Sequence, residues 1–336
     1  MNNLSDYFYG DDQVINKLFD NYKDKSLSNS IIFLGNKGVG KATLTFFLIK
    51  KIFKYLDKKN NFDSIYNMIE NNIHSNIKYV TKQYDDRTKK INTFIVVDQI
   101  RSLQKFLVQT SIDNLPKFVI IDSADDLNIN AANALLKNLE EPQINTYFIL
   151  ITNQLSSLLP TIRSRCIKFF IKKPSANNFF NILNKNNYDL NEEQINFLYF
   201  LSNGSPGVAS KILDDDLNHI YLLILKIFIN NNSLTTEIVE FSSLVSEYNN
   251  EQFKIVLFFF RFILITIIKI KLRIKFSLNF IKCFDSLIDM SNHVHIQSAY
   301  KILEYLNNNE NDLFVYNLDK KIFTLNIFES LKIKYE

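Results

Sequence analysis

Short, unbroken apolar runs recur along the first half of the chain: IIFL at 31–34, FVII at 118–121, YFILI at 147–151 and IKFFI at 167–171. A half-exposed strand alternates apolar and polar positions, so continuous β-favouring runs of this length suit strands covered on both faces. Amphipathic stretches lie between them. Ile100, Leu103, Phe106 and Leu107 recur at three- and four-residue spacing behind Asp98, a residue able to cap a helix. Ala132, Leu135, Leu136 and Leu139 do the same in a helix over Ala131–Glu141 that has to stop before Pro142. The alternation of strand and helix from Ile31 to Ile171 predicts a doubly wound α/β domain with a parallel sheet.

The segment from Lys54 to Asn92 is polar and rich in Asn and Lys, and its pattern supports one short helix and one strand near Ile77–Val80. Beyond Lys172-Lys173-Pro174 helical periodicity continues without further strand signal. This sets expected boundaries at 1–172 for the sheet domain, 173–215 for a small helical unit that includes the turn Gly204-Ser205-Pro206-Gly207, and 216–336 for a longer helical region. The stretch Ile268–Phe276 alternates with period two but is read as helix. Ile255–Ile268 looks membrane-like, yet it contains Arg261 and falls short of the roughly 20 apolar residues a spanning helix needs. A buried helix is expected there.

Composition changes this picture little. At 336 residues with 46% hydrophobic, the chain has enough apolar material for two or three domains. A net charge of +4 is too mild to mark a nucleic-acid surface. Two cysteines, Cys166 and Cys283, exclude a disulfide scaffold or a thiolate zinc site and fit a reducing, cytoplasmic setting. The opening MNNLSDYFYGDD has no basic or apolar leader, so no secretion is expected. His74, His219, His293 and His295 are too scattered for a zinc site, and surface positions are expected for them.

Candidate chemistry begins with GNKGVGKATL at 35–44. Gly35-x4-Gly40-Lys41 stands between a strand and a helix, where glycines let backbone N–H groups face phosphate oxygens. An ordinary glycine turn is the plainer alternative. The hydroxyl that normally follows the lysine to bind Mg²⁺ is missing at Ala42, and Thr43 lies about 100° further around the helix. Asp122 ends an apolar strand, where a P-loop ATPase holds its metal, or where any strand meets the surface. The next residue, Ser123, cannot act as a base.

Glu140 and Glu141 close a helix whose dipole they oppose, at about 0.3–1 kcal/mol each. An interface role or simple solvation both remain open. Arg163 and Arg165 precede the last strand and can project from the sheet's end toward a phosphate, or lie as plain surface charges. Lys269, Lys271, Arg273 and Lys275 form a basic face, either solvated or nucleic-acid binding.

In order, GNKGVGKATL, FIVVDQIRSLQKFL (94–107), FVIIDSADDLNINAANALLKNLEEP (118–142) and LLPTIRSRC (158–166) resemble the AAA+ clamp-loader family of bacterial DNA polymerase III, and within it the delta-prime type. The likeness runs from about Tyr9 to Phe170 and is faint beyond, though NLDKKIFTLN (317–326) is compatible. It implies an AAA+ P-loop parallel sheet domain (1–172), a small helical lid (173–215) and an all-α C-terminal collar domain (216–336). It implies Gly35, Gly38, Gly40, Lys41, Thr43, Asp122 and Asn153 as nucleotide-facing residues, with Thr152-Asn153 at the first phosphate sensor. Arg165 becomes an arginine acting in trans on a neighbour's ATP, with Arg163 the weaker candidate. Partners implied are the other clamp-loader subunits, both motor subunits and delta, and through them the sliding clamp and primer–template DNA, with no membrane. The family's motor subunits carry a sensor arginine in a Gly-Ser-x-Arg turn; here that position is Gly207. Positions 42, 123 and 207 are thus altered together, and the four-cysteine zinc module of many relatives has no counterpart in 54–92.

Three functions follow as expectations. The first is a non-motor subunit that binds ATP without efficient hydrolysis and has little ATPase of its own. The second is an autonomous P-loop ATPase working through Lys41 and Asp122. The third is a DNA-binding module built on 269–275.

Overall fold

All four apolar runs become strands of one parallel sheet in the computed structural model, which describes residues 10, 12–57, 62–71, 73–85, 90–111, 115–186, 188, 190–230, 236–274, 287–292 and 294–330. The chain divides into two units, one of residues 1–188 with 204–207, the other of 189–203 with 208–336.

In the first unit, helix α1 (Asp12–Lys23) leads into strand β1 (Ser30–Leu34), helix α2 (Lys41–Leu56), helix α3 (Phe62–Glu70) and strand β2 (Ile77–Val80). After a two-residue hairpin pair, β3 (Tyr84–Asp85) and β4 (Lys90–Ile91), follow α4 (Val97–Val108), β5 (Lys117–Asp122), α5 (Ile129–Glu140), β6 (Thr146–Thr152), α6 (Pro160–Arg165), β7 (Ile167–Phe170) and α7 (Ala176–Lys185). The sheet order is β2-β5-β6-β1-β7, every neighbouring pair parallel.

Successive residues of the central strands point to opposite faces. Ile31 and Phe33 join Phe118, Ile120, Ile149 and Ile151 in a core roofed by α1 and α2. Ile32 joins Val119, Ile121, Phe148 and Leu150 under α4, α5 and α6. Both faces are buried, as unbroken apolar runs require. The IKFFI run is the exception: β7 is an edge strand, and Ile167 and Phe170 are exposed. Its apolar character does not reflect double coverage.

Other expectations are corrected by partners that only the fold supplies. Asp98 lies inside the first turn of α4 instead of capping it; the Gln99 side chain accepts from the Val96 N–H at 3.1 Å, closing that end. Its other end is closed from 117. The Lys117 ammonium, buried at the start of β5, donates to the carbonyls of Phe106 and Leu107 at 2.9 and 2.7 Å and to that of Gln109. Three carbonyls of a helix terminus that α4 itself cannot pair are thereby satisfied, and burial pushes the Lys117 pKa down. His74 is buried, not superficial: its ring lies 5.0 Å from that of Phe53, and Nδ1 accepts from the Asn76 N–H. Segment 54–92 holds the expected helix and strand, but α2 runs on to Leu56 and the β3–β4 hairpin is additional.

The second unit is helical among its described residues. Helices α8 (Glu192–Leu201), α9 (Pro206–Asp214), α10 (Asn218–Asn230), α11 (Thr236–Ser246) and α12 (Asn250–Lys271) precede Ile296–Val315 and Lys320–Glu329. Only the first two residues of α9 belong to the sheet unit. The GSPG stretch is thus a turn only to Ser205, and Pro206 opens a helix, the position its fixed φ suits. In the helical unit the rings of Phe228, Phe241, Phe260 and Phe328 meet with centroids 5.4 to 6.3 Å apart. The membrane-like run is the buried middle of α12, and its Arg261 pairs with Glu310. No helix among the described residues is long and apolar enough to cross a membrane. The period-two stretch is helical to Lys271 and turns at 272–273; residues 275–276 lie outside the described residues.

Phe118 is fully buried between the rings of Tyr147 and Phe53, at centroid distances of 5.5 and 5.8 Å. Phe118→Ala is expected to lower stability by about 3–5 kcal/mol, read as a shift of the urea midpoint at unchanged slope.

Candidate functional site

The parallel register brings the carboxyl ends of β1, β5 and β6 to one edge of the sheet. Leu34 pairs with Thr152 and Asp122 with Ile151, so the loops beginning at Gly35, Ser123 and Asn153 leave side by side. Five of the seven candidate nucleotide-facing residues stand on these strand ends and the loop after β1; Lys41 and Thr43 are in the first turn of α2.

The loop's glycines are fixed by different causes. Gly38 and Gly40 have φ of 80° and 95°, which L side chains avoid. Gly35 is fixed by crowding, because a Cβ there would stand 2.5 Å from the Ile171 carbonyl oxygen. Gly40 caps α2 without a side-chain acceptor. Lys41 is buried and folds back on its own loop: Nζ donates to the carbonyls of Gly35 (2.6 Å) and Asn36 (2.8 Å) and to Asn153 Oδ1 (2.9 Å). All three ammonium protons are used. Burial lowers its pKa to about 8, against the partial opposition of the Asp122 and Asp125 charges.

The residues beside the loop offer little to a metal. Ala42 packs against the core beneath α1 and α2 and offers no oxygen, while Thr43 is half-buried one position on. Asp122 accepts from the Tyr79 hydroxyl of β2, and burial first, then the Asp122 charge and that hydrogen bond, hold the phenol far above its ordinary range. Ser123 supplies no carboxylate. Among the described residues no group of three or more His, Cys, Asp and Glu side chains is gathered as for a metal. With no hydroxyl at Ala42, no carboxylate at Ser123 and Asp122 bonded to Tyr79, the residues present do not fit Mg²⁺-assisted hydrolysis.

Two features were not anticipated. Asp125 receives the hydroxyls of Thr152 and Ser157, the latter at 2.6 Å, and the backbone N–H and side-chain amide of Asn153 at 2.7 and 3.0 Å. It fixes the amide that faces Lys41, and the acidic stretch DSADD after an apolar strand was its one signal in the sequence. The 204–207 turn lies on the glycine loop. The Gly207 N–H donates to the Gly38 carbonyl at 2.9 Å and the Ser205 hydroxyl to that of Lys37 at 2.8 Å, and a Cβ at 207 would stand 2.9 Å from Gly38 Cα.

Arg165 is the last residue of α6, away from the glycine loop. Its Nη1 donates to the Thr161 carbonyl at 2.9 Å, and its Nη2 pairs with Glu140. The side chain keeps 35% of its surface exposed. Arg163 is less accessible, with a buried Nε that has no hydrogen-bond partner among the described residues. Cys166 is buried, which pushes its thiol up to about 11 and leaves it protonated at neutral pH.

The lowered Lys41 pKa fixes a sign. Between about 8 and the ordinary 10.5 the unfolded chain holds a proton the folded chain has released, so stability rises with pH across that window. The unfavourable contribution of the charge is fully present below it. Urea unfolding of wild type and Lys41→Met across this range should show the wild type gaining on the variant as pH rises.

Residues 10–175 match the family described as DNA polymerase III, delta subunit. A DNA polymerase III subunit delta' from Pseudomonas aeruginosa is 44% identical over 86 residues, 26% of this chain and 26% of that protein. One from Bacillus subtilis is 35% identical over 156 residues, 46% of this chain and 45% of that one. A DNA polymerase III subunit gamma from Buchnera aphidicola is 37% identical over 92 residues, 26% of this chain and 25% of its own length. The chain spans about a quarter to just under half the length of these relatives. The likeness to the DNA polymerase III delta-subunit family is thus carried by residues 10–175, just under half of the chain.

Proposed function

We propose that the chain is a non-motor subunit of the DNA polymerase III clamp loader, which helps place the sliding clamp on primed DNA and lends Arg165 to the ATP site of the adjacent motor subunit. One observation carries the reading: the exposed guanidinium of Arg165 ends a helix apart from the chain's own glycine loop, while that loop lacks a metal-binding oxygen at Ala42 and a base at Ser123. An arginine with donors facing outward suits a phosphate supplied by another molecule.

In this reading residues 1–172 form the AAA+ sheet domain, 173–215 a lid and 216–336 a collar that joins motor subunits and delta, in the cytoplasm. ATP, where the loop at Gly35–Lys41 takes it, is held without efficient turnover. The inward-turned Lys41 would have to exchange three protein acceptors for phosphate oxygens. The sliding clamp and primer–template DNA are reached through the complex.

The gamma-type relative keeps a second reading in view, an autonomous ATPase using Lys41 and Asp122. Against it, Asp122 is tied to Tyr79. The experiment compares Mg²⁺-dependent ATPase of the isolated chain with that of the clamp loader assembled with wild type or Arg165→Ala. The isolated chain should show no turnover, and the variant complex should lose about 10³-fold or more in kcat at the dependent site. Full activity of the Arg165→Ala complex sinks the trans arginine; robust turnover by the isolated chain that disappears in Lys41→Ala favours the autonomous enzyme.

A further inference from the structure

Glu140 and Glu141 sit where the dipole of α5 disfavours negative charge, and the structure separates them. Glu140 pairs with the Arg165 guanidinium, whereas Glu141 is exposed and makes no ion pair among the described residues. Arg165 ends a helix of only six residues, and the one polar contact from outside that helix among the described residues is Glu140. Glu140 from α5 and the Thr161 carbonyl from the preceding turn of α6 engage one nitrogen each. A guanidinium carries five donor hydrogens in a rigid plane. The Ser164 hydroxyl takes a third, at 3.5 Å from Nη1, and the remaining two leave it able to bind a further anion along its open side. The side chains of Arg165 and Glu140 keep 35% and 47% of their surface exposed, so the pair is reachable from solvent.

We propose that Glu140 is a positioning residue for Arg165: it fixes the plane and direction of the guanidinium before a neighbour's phosphate arrives, so that the arginine meets the developing charge already oriented. The proposal rests on the reading of Arg165 as acting in trans. A carboxylate held outside the site orients the cation without touching nucleotide, and a long, mobile side chain gains most from such orientation. The dipole penalty at the end of α5 is offset by the arginine it holds.

The test uses the assembled clamp loader carrying Glu140→Gln, Glu141→Gln, Arg165→Ala or Glu140→Gln with Arg165→Ala, with ATPase kcat and KM as readouts. Glu140→Gln is expected to lower kcat about tenfold or more, since misorientation of a reacting group costs on that order, with KM for ATP little changed. Glu141→Gln should match wild type, and Glu140→Gln should have no further effect once Arg165 is alanine. Equal thermal midpoints of the isolated chains and intact assembly separate positioning from misfolding. A wild-type rate for Glu140→Gln, an equal loss in Glu141→Gln, or a loss that adds to Arg165→Ala overturns the proposal. A normal Arg165→Ala rate overturns the trans-arginine reading and this proposal with it, whereas a slow Arg165→Ala beside a normal Glu140→Gln overturns only the role of Glu140.

Discussion

Parallel pairing of β1 with β6 on one side and β7 on the other is the constraint from which the rest follows. Parallel strands all end at the same edge, so the loops after β1, β5 and β6 emerge there together, and the connections must cross the faces as helices. The faces are then sealed by α1 and α2 on one side and α4, α5 and α6 on the other, leaving the two edges of the sheet open. Gly35, Asp122 and Asn153 come from three strands far apart in sequence, and their proximity needs no cause beyond that register.

At that edge the loop engages its own lysine. In the conformation seen, desolvation of the Lys41 ammonium is compensated by two loop carbonyls and an amide oxygen. The amide is in turn oriented by Asp125, whose carboxylate gathers four donors. The loop is therefore a satisfied polar cluster, and any anion drawn to it has to replace bonds already made. On the opposite flank, the Glu140–Arg165 pair is open to water and makes few demands on its surroundings. The glycine loop is closed by its own hydrogen bonds, and the paired arginine is the accessible group.

What the sequence disclosed follows from the range of the forces involved. Continuous apolar runs reveal β1, β5 and β6 because burial on two faces constrains every residue of a strand. IKFFI misled because an edge strand can be as apolar as a central one, and only its neighbours show which it is. Lys117 carried no cue at all, since its three acceptors lie on the preceding helix and loop and form no local motif. Asp98 has the chemistry of a cap but not the position, which depends on where the chain enters the helix. In the candidate site the glycines, Lys41 and Asp122 were readable from spacing. Asp125, Tyr79 and the seat of Ser205 on Lys37 were not, because each joins segments tens of residues apart.

The contact of Gly207 with Gly38 also bears on how such a chain could change over time. Placing a hydroxyl at 42 or a carboxylate at 123 is a single exchange at a half-buried position. Position 207 is different, because any side chain there begins with a Cβ 2.9 Å from the Gly38 backbone, and two hydrogen bonds hold the turn in that place. An arginine could be accepted there only after the turn and the loop had parted. Changes at these three positions are therefore not independent steps: the one at 207 is barred until the backbone has moved.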